Sequence, residues 1–310
     1  MSSTEDLNSA RVIKHHTTVS TSVEQLETAL PGIGAGKDEF VRLIAGPYDP
    51  ARARTRIVEW KKALAKAGIT VEDDSLERVF LRYACEHALA RVPSLRVHDA
   101  VKALMTRDLE THLKPRKPSD PSVDVDSYPF SVAFDMASFH RFPAGPLDWT
   151  ISGMPRSWFA KIPVKDLPRS VYFIAAKMRG TKPAFYTHVA PPPRKRAMVI
   201  DKEVRKAYYR MAKSLALQPE MIGIMTASWL NDPAMLKEMP QLAAVNEPYT
   251  HLGGFITTVG PAHPTSGFLE RSPERQKRYD EGTLRPMLGL AMWPRANAIR
   301  WAEEHPEFED

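Results

Sequence analysis

Residues 184–200 of the 310-residue chain read AFYTHVAPPPRKRAMVI, and they contain the transition that decides the fold. Residues 184–189 are rich in aromatic and β-branched side chains, which favour a strand. Three prolines follow and end the strand, because proline has no main-chain N–H to donate to a sheet. Apolar side chains at helical spacing then predict a helix over residues 202–217. A strand, a turn and a helix in this order indicate helices packed on a sheet.

The same alternation continues toward the C-terminus. Apolar runs of β-preferring residues predict strands at residues 130–134, 171–175, 184–189, 222–227, 255–259 and 287–292. Helical spacing predicts helices between the later strands at residues 202–217, 234–245 and 273–279. Strands and helices that alternate in this way predict an α/β domain with a mixed sheet over residues 128–305.

Proline divides the chain into two parts. Four of its 27 prolines lie in residues 1–114, and the others all lie in residues 115–310. Because proline interrupts helix interiors, the first part is predicted to be helical. Its helices are predicted at residues 37–45, 51–67, 74–92 and 94–113. The fold class is therefore predicted as α+β, in which an N-terminal helical region precedes the α/β domain.

Four segments are predicted along the chain. Residues 1–20 form a disordered tail, and residues 21–113 form the helical region. Residues 114–127 are polar, hold three prolines and lack an apolar period, so they are predicted to be a linker. Residues 128–305 form the α/β domain and carry the candidate site.

Composition excludes several classes of protein. The formal net charge of +6 is a small surplus on a long chain, so no nucleic-acid partner is indicated. No run reaches the roughly 18 apolar residues that a membrane span needs, and the N-terminus lacks an apolar signal core. The single cysteine, Cys85, excludes a disulfide framework and points to a reducing compartment. A cytoplasmic protein outside the membrane is therefore expected.

The strongest catalytic motifs are missing from the sequence. It contains no phosphate-binding GxxxxGKS or GxxxxGKT pattern, no GxGxxG, HExxH or GxSxG pattern, and no EF-hand loop. Asp108 and His112 lie four residues apart on one predicted helix, and His87 and His98 lie on neighbouring helices. A helical di-iron site would need paired Glu-x-x-His units, which the sequence lacks, so no metal ligands are assigned.

The first candidate site follows the strand of the quoted segment. Because side chains alternate along a strand, Tyr186 and His188 lie on the same face. The chain then passes through Arg194, Lys195 and Arg196 to the predicted helix. Proteins with α/β sheets often bind an anionic ligand at such a strand end, close to a helix N-terminus. The alternative is a solvated basic turn, with His188 packed at the end of the strand.

The second candidate site is the next strand end, where residues 224–233 read IMTASWLNDP. Polar or aromatic side chains cluster there: Ser228, Trp229, Asn231 and Asp232. Capping of the following helix explains Asp232 or Asn231 but not the whole cluster, so a pocket wall is predicted. Arg295 follows the last predicted strand and is a further candidate for substrate binding.

Several of these motifs together resemble a family of bacterial proteins without an assigned activity. They are the strand that carries His188, SWLNDP at residues 228–233, RYDEG at residues 278–282 and WPR at residues 293–295. The resemblance covers residues 128–302. The order of elements from residue 184 onward is also similar to the C-terminal half of the GNAT acyltransferase superfamily.

The GNAT resemblance implies a function and a ligand. In that superfamily the loop after the first of these strands binds the pyrophosphate of coenzyme A through main-chain N–H groups. Residues 194–199 occupy that place here. The resemblance therefore implies transfer of an acyl group from acyl-coenzyme A, the donor, to an amine or hydroxyl of a small-molecule substrate.

This hypothesis gives each candidate residue a role. His188 acts as general base, since an imidazole has a pKa near neutrality. Ser228 and Asn231 bind the developing oxyanion or the acceptor. Asp232 has an orienting role or caps the helix that follows it. The predicted catalytic residues are His188, Ser228 and Asp232. The residues predicted to hold the donor's phosphates are Arg194, Lys195 and Arg196. The residues predicted to bind substrate are Tyr186, Trp229, Asn231 and Arg295.

Two other classes of function stay open. A metal-dependent oxygenase of the non-haem iron kind, or another tailoring enzyme, would take His188 and helical carboxylates as ligands. A non-catalytic module would use its basic turns to bind an anionic ligand or a protein, with a steep dependence on salt. No aromatic residue interleaves with residues 194–196, which disfavours single-stranded nucleic acid.

Overall fold

The computed structural model describes Leu30 and residues 50–69, 71, 74–114, 127–191, 194–262 and 272–309. Its strands are β1 (Arg141–Pro143), β2 (Leu147–Ser152), β3 (Ala184–Val189), β4 (Gly223–Ser228), β5 (Phe255–Pro261) and β6 (Met287–Pro294). Its helices are α1 (Pro50–Lys66), α2 (Ser75–Leu89), α3 (Asp99–Thr111), α4 (Tyr128–Ala137), α5 (Leu167–Tyr172), α6 (Asp201–Ala216), α7 (Pro233–Glu238), α8 (Ala243–Thr250), α9 (Pro273–Asp280) and α10 (Arg295–Glu304). The predicted tail at residues 1–20, the predicted helix at residues 37–45 and nearly all of the predicted linker lie outside the described residues.

The three longer helices predicted before the linker are present as α1, α2 and α3. α3 begins at Asp99, five residues later than predicted, because Pro93 starts a short 3₁₀ helix at Val92–Ser94. Ser94 Oγ donates to Arg91 O in that turn, at 2.8 Å, instead of capping α3. Residues before Asp99 run extended, so the helix predicted from residue 94 begins only there.

Two of the predicted strands are helical instead. The apolar run at residues 130–134 lies in α4, where Ser127 Oγ accepts a hydrogen bond from Phe130 N and caps the helix. The run at residues 171–175 crosses the end of α5 and the π-helix Phe173–Met178 that follows it. Both runs are continuous apolar stretches, whose periodicity does not distinguish a buried helix from a strand. A proline in the first turn of each helix is the local signal that favours the helix.

The other four predicted strands are confirmed as β3, β4, β5 and β6, each within two residues of its predicted ends. No prediction covers β1 and β2, although residues 147–152 read LDWTIS and alternate strictly between apolar and polar. The helix predicted at residues 234–245 is interrupted, because Pro240 starts a 3₁₀ helix between α7 and α8.

The six strands form one mixed sheet in the order β1-β2-β3-β4-β6-β5. β3 and β4 are parallel neighbours, and the other neighbouring pairs are antiparallel. A parallel pair needs a long crossover connection, which contains α6. Helices in the N-terminal part followed by a mixed α/β sheet confirm the predicted fold class.

Helices cover both faces of the sheet. One face packs against α6, α8, α10 and the N-terminal helices in a hydrophobic cluster, the α6-side cluster, that contains Phe80, Trp149 and Trp293. The other face packs against α5 and the π-helix in the α5-side cluster, which contains Met178 and Met225. The N-terminal helices and the sheet therefore share one core. Among the described helices, none combines the length and the apolar composition that crossing a membrane requires.

Candidate functional site

The candidate site lies where the parallel strands β3 and β4 separate. All six residues of β3 pair with β2. The ladder between β3 and β4 has only two pairs, Phe185 with Ile224 and Tyr186 with Met225. Beyond these pairs the strands diverge toward their C-terminal ends, and a cavity of about 420 Å³ opens there. We term this cavity the β3–β4 cleft, and its volume suits a small molecule.

Four of the predicted site residues meet in this cleft. They are Tyr186, His188, Ser228 and Asn231. Thr187 and Thr226 line it as well, and the exposed Tyr128 contributes at its edge. The aliphatic part of the wall consists of Leu147, Val189, Leu230 and Val245.

Side chains replace main-chain ladder bonds across the cleft. Thr226 Oγ1 donates to Thr187 O at 3.2 Å, and Thr187 Oγ1 donates to Met225 O at 3.5 Å. The hydroxyl of Tyr186 accepts a hydrogen bond from Ala227 N at 3.1 Å. These bonds keep main-chain polar groups of both strands paired where the ladder has ended.

The cleft passes through the sheet. Because side chains alternate along β3, Tyr186 and His188 lie on the α5 side and Thr187 lies on the α6 side. Tyr186 packs against the α5-side cluster, whereas Leu230 and Val245 belong to the α6-side cluster. A ligand in the cleft would therefore contact His188 from one side of the sheet and the end of β4 from the other.

His188 is a neutral imidazole in this environment. Burial and the nearby Arg141 cation lower its pKa from 6.5 to about 4, although Asp148 opposes them. Its Nε2 lies 3.1 Å from Thr150 Oγ1, and its ring centroid lies 5.1 Å from that of Tyr186. At neutral pH the ring is uncharged, so one of its nitrogens is a proton acceptor.

Ser228 and Asn231 differ in the polar group that each leaves unpaired. Ser228 Oγ accepts from Leu230 N at 3.1 Å, and its hydroxyl hydrogen has no acceptor among the described residues. Asn231 Nδ2 donates to Gly289 O at 2.8 Å, while its buried Oδ1 has no partner in the same part of the chain. A Cβ at Gly289 would lie 2.8 Å from Asn231 Cβ, so glycine permits this close packing. Ser228 thus supplies a donor to the cleft, whereas the unpaired acceptor of Asn231 has almost no exposed surface.

The structure does not bring Trp229, Asp232 and Arg295 into the cleft. Trp229 is partly buried against the α6-side cluster. Asp232 caps α7, as its capping alternative predicts, and its Oδ2 accepts from Met287 N at 2.7 Å. Arg295 lies beyond the opposite end of β4 and donates to Leu215 O in the last turn of α6 at 3.1 Å. These three residues lie outside the group that meets in the cleft or have contacts directed elsewhere, and their catalytic and substrate-binding roles stay predictions.

Arg194 belongs to a buried ion network. Its guanidinium pairs with Asp148 of β2, whose fully buried carboxylate also accepts from Arg141 Nε at 2.9 Å. Its Nε lies 3.2 Å from Asp108 Oδ2 of α3. Burial raises the pKa of Asp108, although Arg194 opposes that rise. Arg194 therefore connects the turn before α6 to β2 and α3. The sequence predicted that this residue binds phosphate.

Lys195 and Arg196 are the cations of this turn that a ligand can approach. Neither side chain has a hydrogen bond or an ion pair within the described ranges. The main chain suits an anion less well, because residues 191–199 contain no glycine and begin with three prolines. Asp201 and Glu203 also place negative charge at the N-terminal turn of α6. Binding of a phosphate at this turn would thus depend on side chains and not on main-chain N–H groups.

The histidines and carboxylates considered as metal ligands do not gather in one place. In the part of the chain that the structure describes, no group of three or more His, Cys, Asp or Glu side chains could hold a metal ion. Asp108 is paired with Arg194, and burial lowers the pKa of His112 on the same helix. The metal-dependent alternative stays a prediction with no ligand set in these residues.

The role of the cleft is inferred from its geometry. Comparisons with protein-family models, with curated proteins and with solved structures find no match to this chain. The resemblance of residues 128–302 to a bacterial family, and of their element order to GNAT acyltransferases, stays a prediction.

The structure adds residues to the site that the sequence did not indicate. Thr150 contacts His188, and Thr187 and Thr226 bridge the strands. Thr150 and Asp148 lie on β2, whose strict apolar–polar alternation is the signal for this strand and its polar face. The bridging threonines have no such signal, because their role depends on where β3 separates from β4.

Proposed function

We propose that this chain is a GNAT-like acyltransferase that transfers an acyl group from acyl-coenzyme A to a hydroxyl or amine of a small molecule. The observation that carries the proposal is the β3–β4 cleft, with His188 on one side of the sheet and Ser228 and Asn231 on the other. The elements after β3 support it, since a turn, α6 and β4 follow in the order that the resemblance implies. Two helices, α7 and α8, then take the place of the single helix that it implies, and α9 lies between the closing strands β5 and β6.

His188 is the general base in this proposal. Its Nε2 donates to Thr150 Oγ1 in the tautomer that leaves a lone pair on Nδ1. Nδ1 has no partner among the described residues and takes the proton of the acceptor's hydroxyl or amine. A pKa of about 4 makes the imidazole a weak base, which suits a proton that becomes acidic only as the new bond forms. Thr150 is a positioning residue, because it fixes the tautomer and the orientation of the ring.

The acyl group passes directly from the donor's sulfur to the acceptor. The acceptor's oxygen or nitrogen forms a bond to the acyl carbon while the bond from that carbon to the donor's sulfur breaks. The proton that His188 removes passes to the departing thiolate, so the products are an acylated acceptor and a free thiol. Ser228 donates its O–H to the carbonyl oxygen as that oxygen gains negative charge. Asn231 forms part of the same wall, where its bond to Gly289 O holds it in place.

Lys195 and Arg196 hold the donor's phosphates in this arrangement. Their side chains have no hydrogen-bond or ion-pair partner among the described residues, whereas the Arg194 side chain is held by Asp148 and Asp108. The prolines before them reduce the number of main-chain N–H groups that the turn can offer. Donor binding should therefore weaken with salt, because it depends on exposed charges.

Release of free thiol from acetyl-coenzyme A, in the presence of a panel of small alcohols and amines, tests the proposal. We expect His188→Gln to lower kcat by about 10²–10⁴-fold while circular dichroism shows an unchanged fold. His251→Gln is the matched control, since His251 is exposed and lies outside the cleft. Turnover of His188→Gln equal to that of the wild type would remove this histidine from the mechanism.

The donor site is tested separately from the base. Replacing both Lys195 and Arg196 by alanine should raise the KM for acetyl-coenzyme A and leave kcat nearly unchanged. If coenzyme A raises the unfolding midpoint but no thiol is released with any acceptor, the non-catalytic anion-binding alternative is favoured.

A further inference from the structure

The wall of the β3–β4 cleft carries no charge. Its lining residues, all within the described ranges, offer hydroxyl groups, one amide, the imidazole of His188 and aliphatic side chains. None of them is Asp, Glu, Lys or Arg. A charged group that enters this space therefore meets dipoles and no counterion.

Charged groups close to the cleft do not compensate a cation either. Asp148 is the register partner of His188, but its buried carboxylate is already bonded to Arg141 and Arg194. Arg141 is close enough to lower the pKa of His188, so its positive field reaches the imidazole. An alkylammonium in the cleft would lose its hydration without gaining a carboxylate partner, which is strongly unfavourable.

Aromatic rings line the α5 side of the cleft. Tyr186 and His188 both line the cleft, and their ring centroids lie 5.1 Å apart. Trp158 packs against Tyr186 from outside the lining, at a centroid distance of 6.3 Å. Such rings accept another flat ring in an offset or edge-to-face arrangement. The aliphatic wall opposite can pack against the same ligand, and a cavity of about 420 Å³ holds a small ring system.

We infer that the acceptor substrate is an uncharged aromatic molecule with an amine or hydroxyl directly on its ring. This inference rests on the proposed acyl transfer and names its substrate class. An arylamine is neutral at pH 7 because its lone pair is delocalised into the ring, and a phenol keeps its proton. The N–H or O–H of such a molecule can bind His188 Nδ1, an acceptor with no partner among the described residues.

Two isomers that differ in charge test the inference. At about pH 7.5, 4-methylaniline is neutral and benzylamine is a cation, as expected for an arylamine and an alkylamine. Binding of each to the full chain, without an acyl donor, is measured by calorimetry. We expect 4-methylaniline to bind at least about tenfold more tightly. Raising the pH to about 9.5, where more of the benzylamine is neutral, should narrow the difference.

A charge added to the wall sharpens the test. Ser228→Asp introduces a carboxylate and still caps Leu230 N, because aspartate and serine are comparable N-caps. It should reverse the preference in favour of benzylamine. Val164→Asp is the matched control, since Val164 is 85% exposed and outside the cleft, and it should leave the preference unchanged.

Each outcome bears on a different claim. Equal binding of the two isomers by the wild type, or binding of neither at millimolar concentration, overturns the inference of a neutral aromatic ligand. Preferential binding of 4-methylaniline with no thiol release from acetyl-coenzyme A supports the neutral aromatic ligand and contradicts the proposed acyl transfer.

Discussion

The two edges of β3 are held in different ways. Toward β2, all six residues pair in one antiparallel ladder, whereas toward β4 only Phe185 and Tyr186 are paired. The β4 edge is closed at its start, where Ile222 N donates to Pro183 O at 2.9 Å, and it opens after Tyr186. A strand that is fully paired on one edge and released on the other provides a fixed wall beside an open space.

The paired edge also carries the buried charges. Asp148 of β2 holds Arg141 and Arg194, and Arg194 reaches Asp108 of α3. The open edge is bridged by hydroxyl groups and has no charged side chain among the described residues that line the cleft. The protein thus uses ion pairs to fix the wall on which His188 lies, and the opening itself is neutral.

Loss of the Asp148 carboxylate should have the largest effect, because it breaks the paired edge. Asp148→Asn leaves Arg141 and Arg194 buried without their shared counterion, so we expect the free energy of unfolding to fall by about 3–5 kcal/mol. Glu220→Gln is the control, since its ion pair with Arg96 is about half exposed, and we expect a change below about 1 kcal/mol. Chemical denaturation measures both. A loss in Asp148→Asn as small as in the control would mean that the network does not hold this edge.

His188 should make the stability of the fixed wall depend on pH. Its folded pKa of about 4 lies below the ordinary value of 6.5, so between these values the unfolded chain binds a proton that the folded chain does not. The contribution of neutral His188 is complete above pH 6.5 and is lost as the pH falls toward 4, by roughly 3 kcal/mol at most. Unfolding free energies at about pH 7 and pH 4.5, for the wild type and for His188→Gln, measure this loss.

Other histidines also make the free energy of unfolding depend on pH, and they do so equally in the wild type and in His188→Gln. Burial also lowers the pKa of His112 and of His140, so the wild-type slope alone does not isolate His188. The difference between the wild type and His188→Gln in this pH dependence isolates His188. We expect His188→Gln to lose less stability on acidification. Equal slopes would indicate that His188 titrates normally and is not shielded by the wall.

Local patterns in the sequence predict part of this site and miss the rest for a physical reason. Alternation and β-propensity place Tyr186, His188 and Ser228 at strand ends, and these are local properties of the chain. Asp232 and Arg295 also follow strands, but strand order and direction decide which ends meet at the cleft. Order and direction depend on contacts between residues far apart in the sequence.

The same limit explains the errors in the fold and in the basic turn. The apolar runs at residues 130–134 and 171–175 have the composition of buried strands, and apart from the proline that precedes each run their local pattern does not distinguish a helix from a strand. Arg194 has the sequence context of a free cation, because its partners Asp108 and Asp148 lie in distant elements. Whether a segment forms a helix or a strand thus depends partly on its local sequence, whereas the ion-pair partners of a side chain depend on elements far away in the sequence.

Removal of the Tyr186 hydroxyl should have the smallest effect, and it tests the open edge directly. The hydroxyl accepts from Ala227 N in the place of a ladder bond. Tyr186→Phe keeps the ring and leaves this N–H without its partner, so we expect a loss of about 1 kcal/mol in the free energy of unfolding. Hydrogen exchange at the Ala227 amide should become faster by about five- to tenfold. Tyr172→Phe is the control, because Tyr172 is 63% exposed, and should change neither quantity.

The pattern of exchange distinguishes two accounts of the cleft. If Tyr186 replaces a ladder bond on the open edge alone, the amides between β2 and β3 keep their wild-type rates while the Ala227 amide exchanges faster. If the amides of both edges accelerate together, the wall and the opening unfold as one unit, and β3 has no independent fixed edge. An unchanged rate at Ala227 would show that the tyrosine does not support the opened ladder, and that the threonine bridges between β3 and β4 hold the two strands without it.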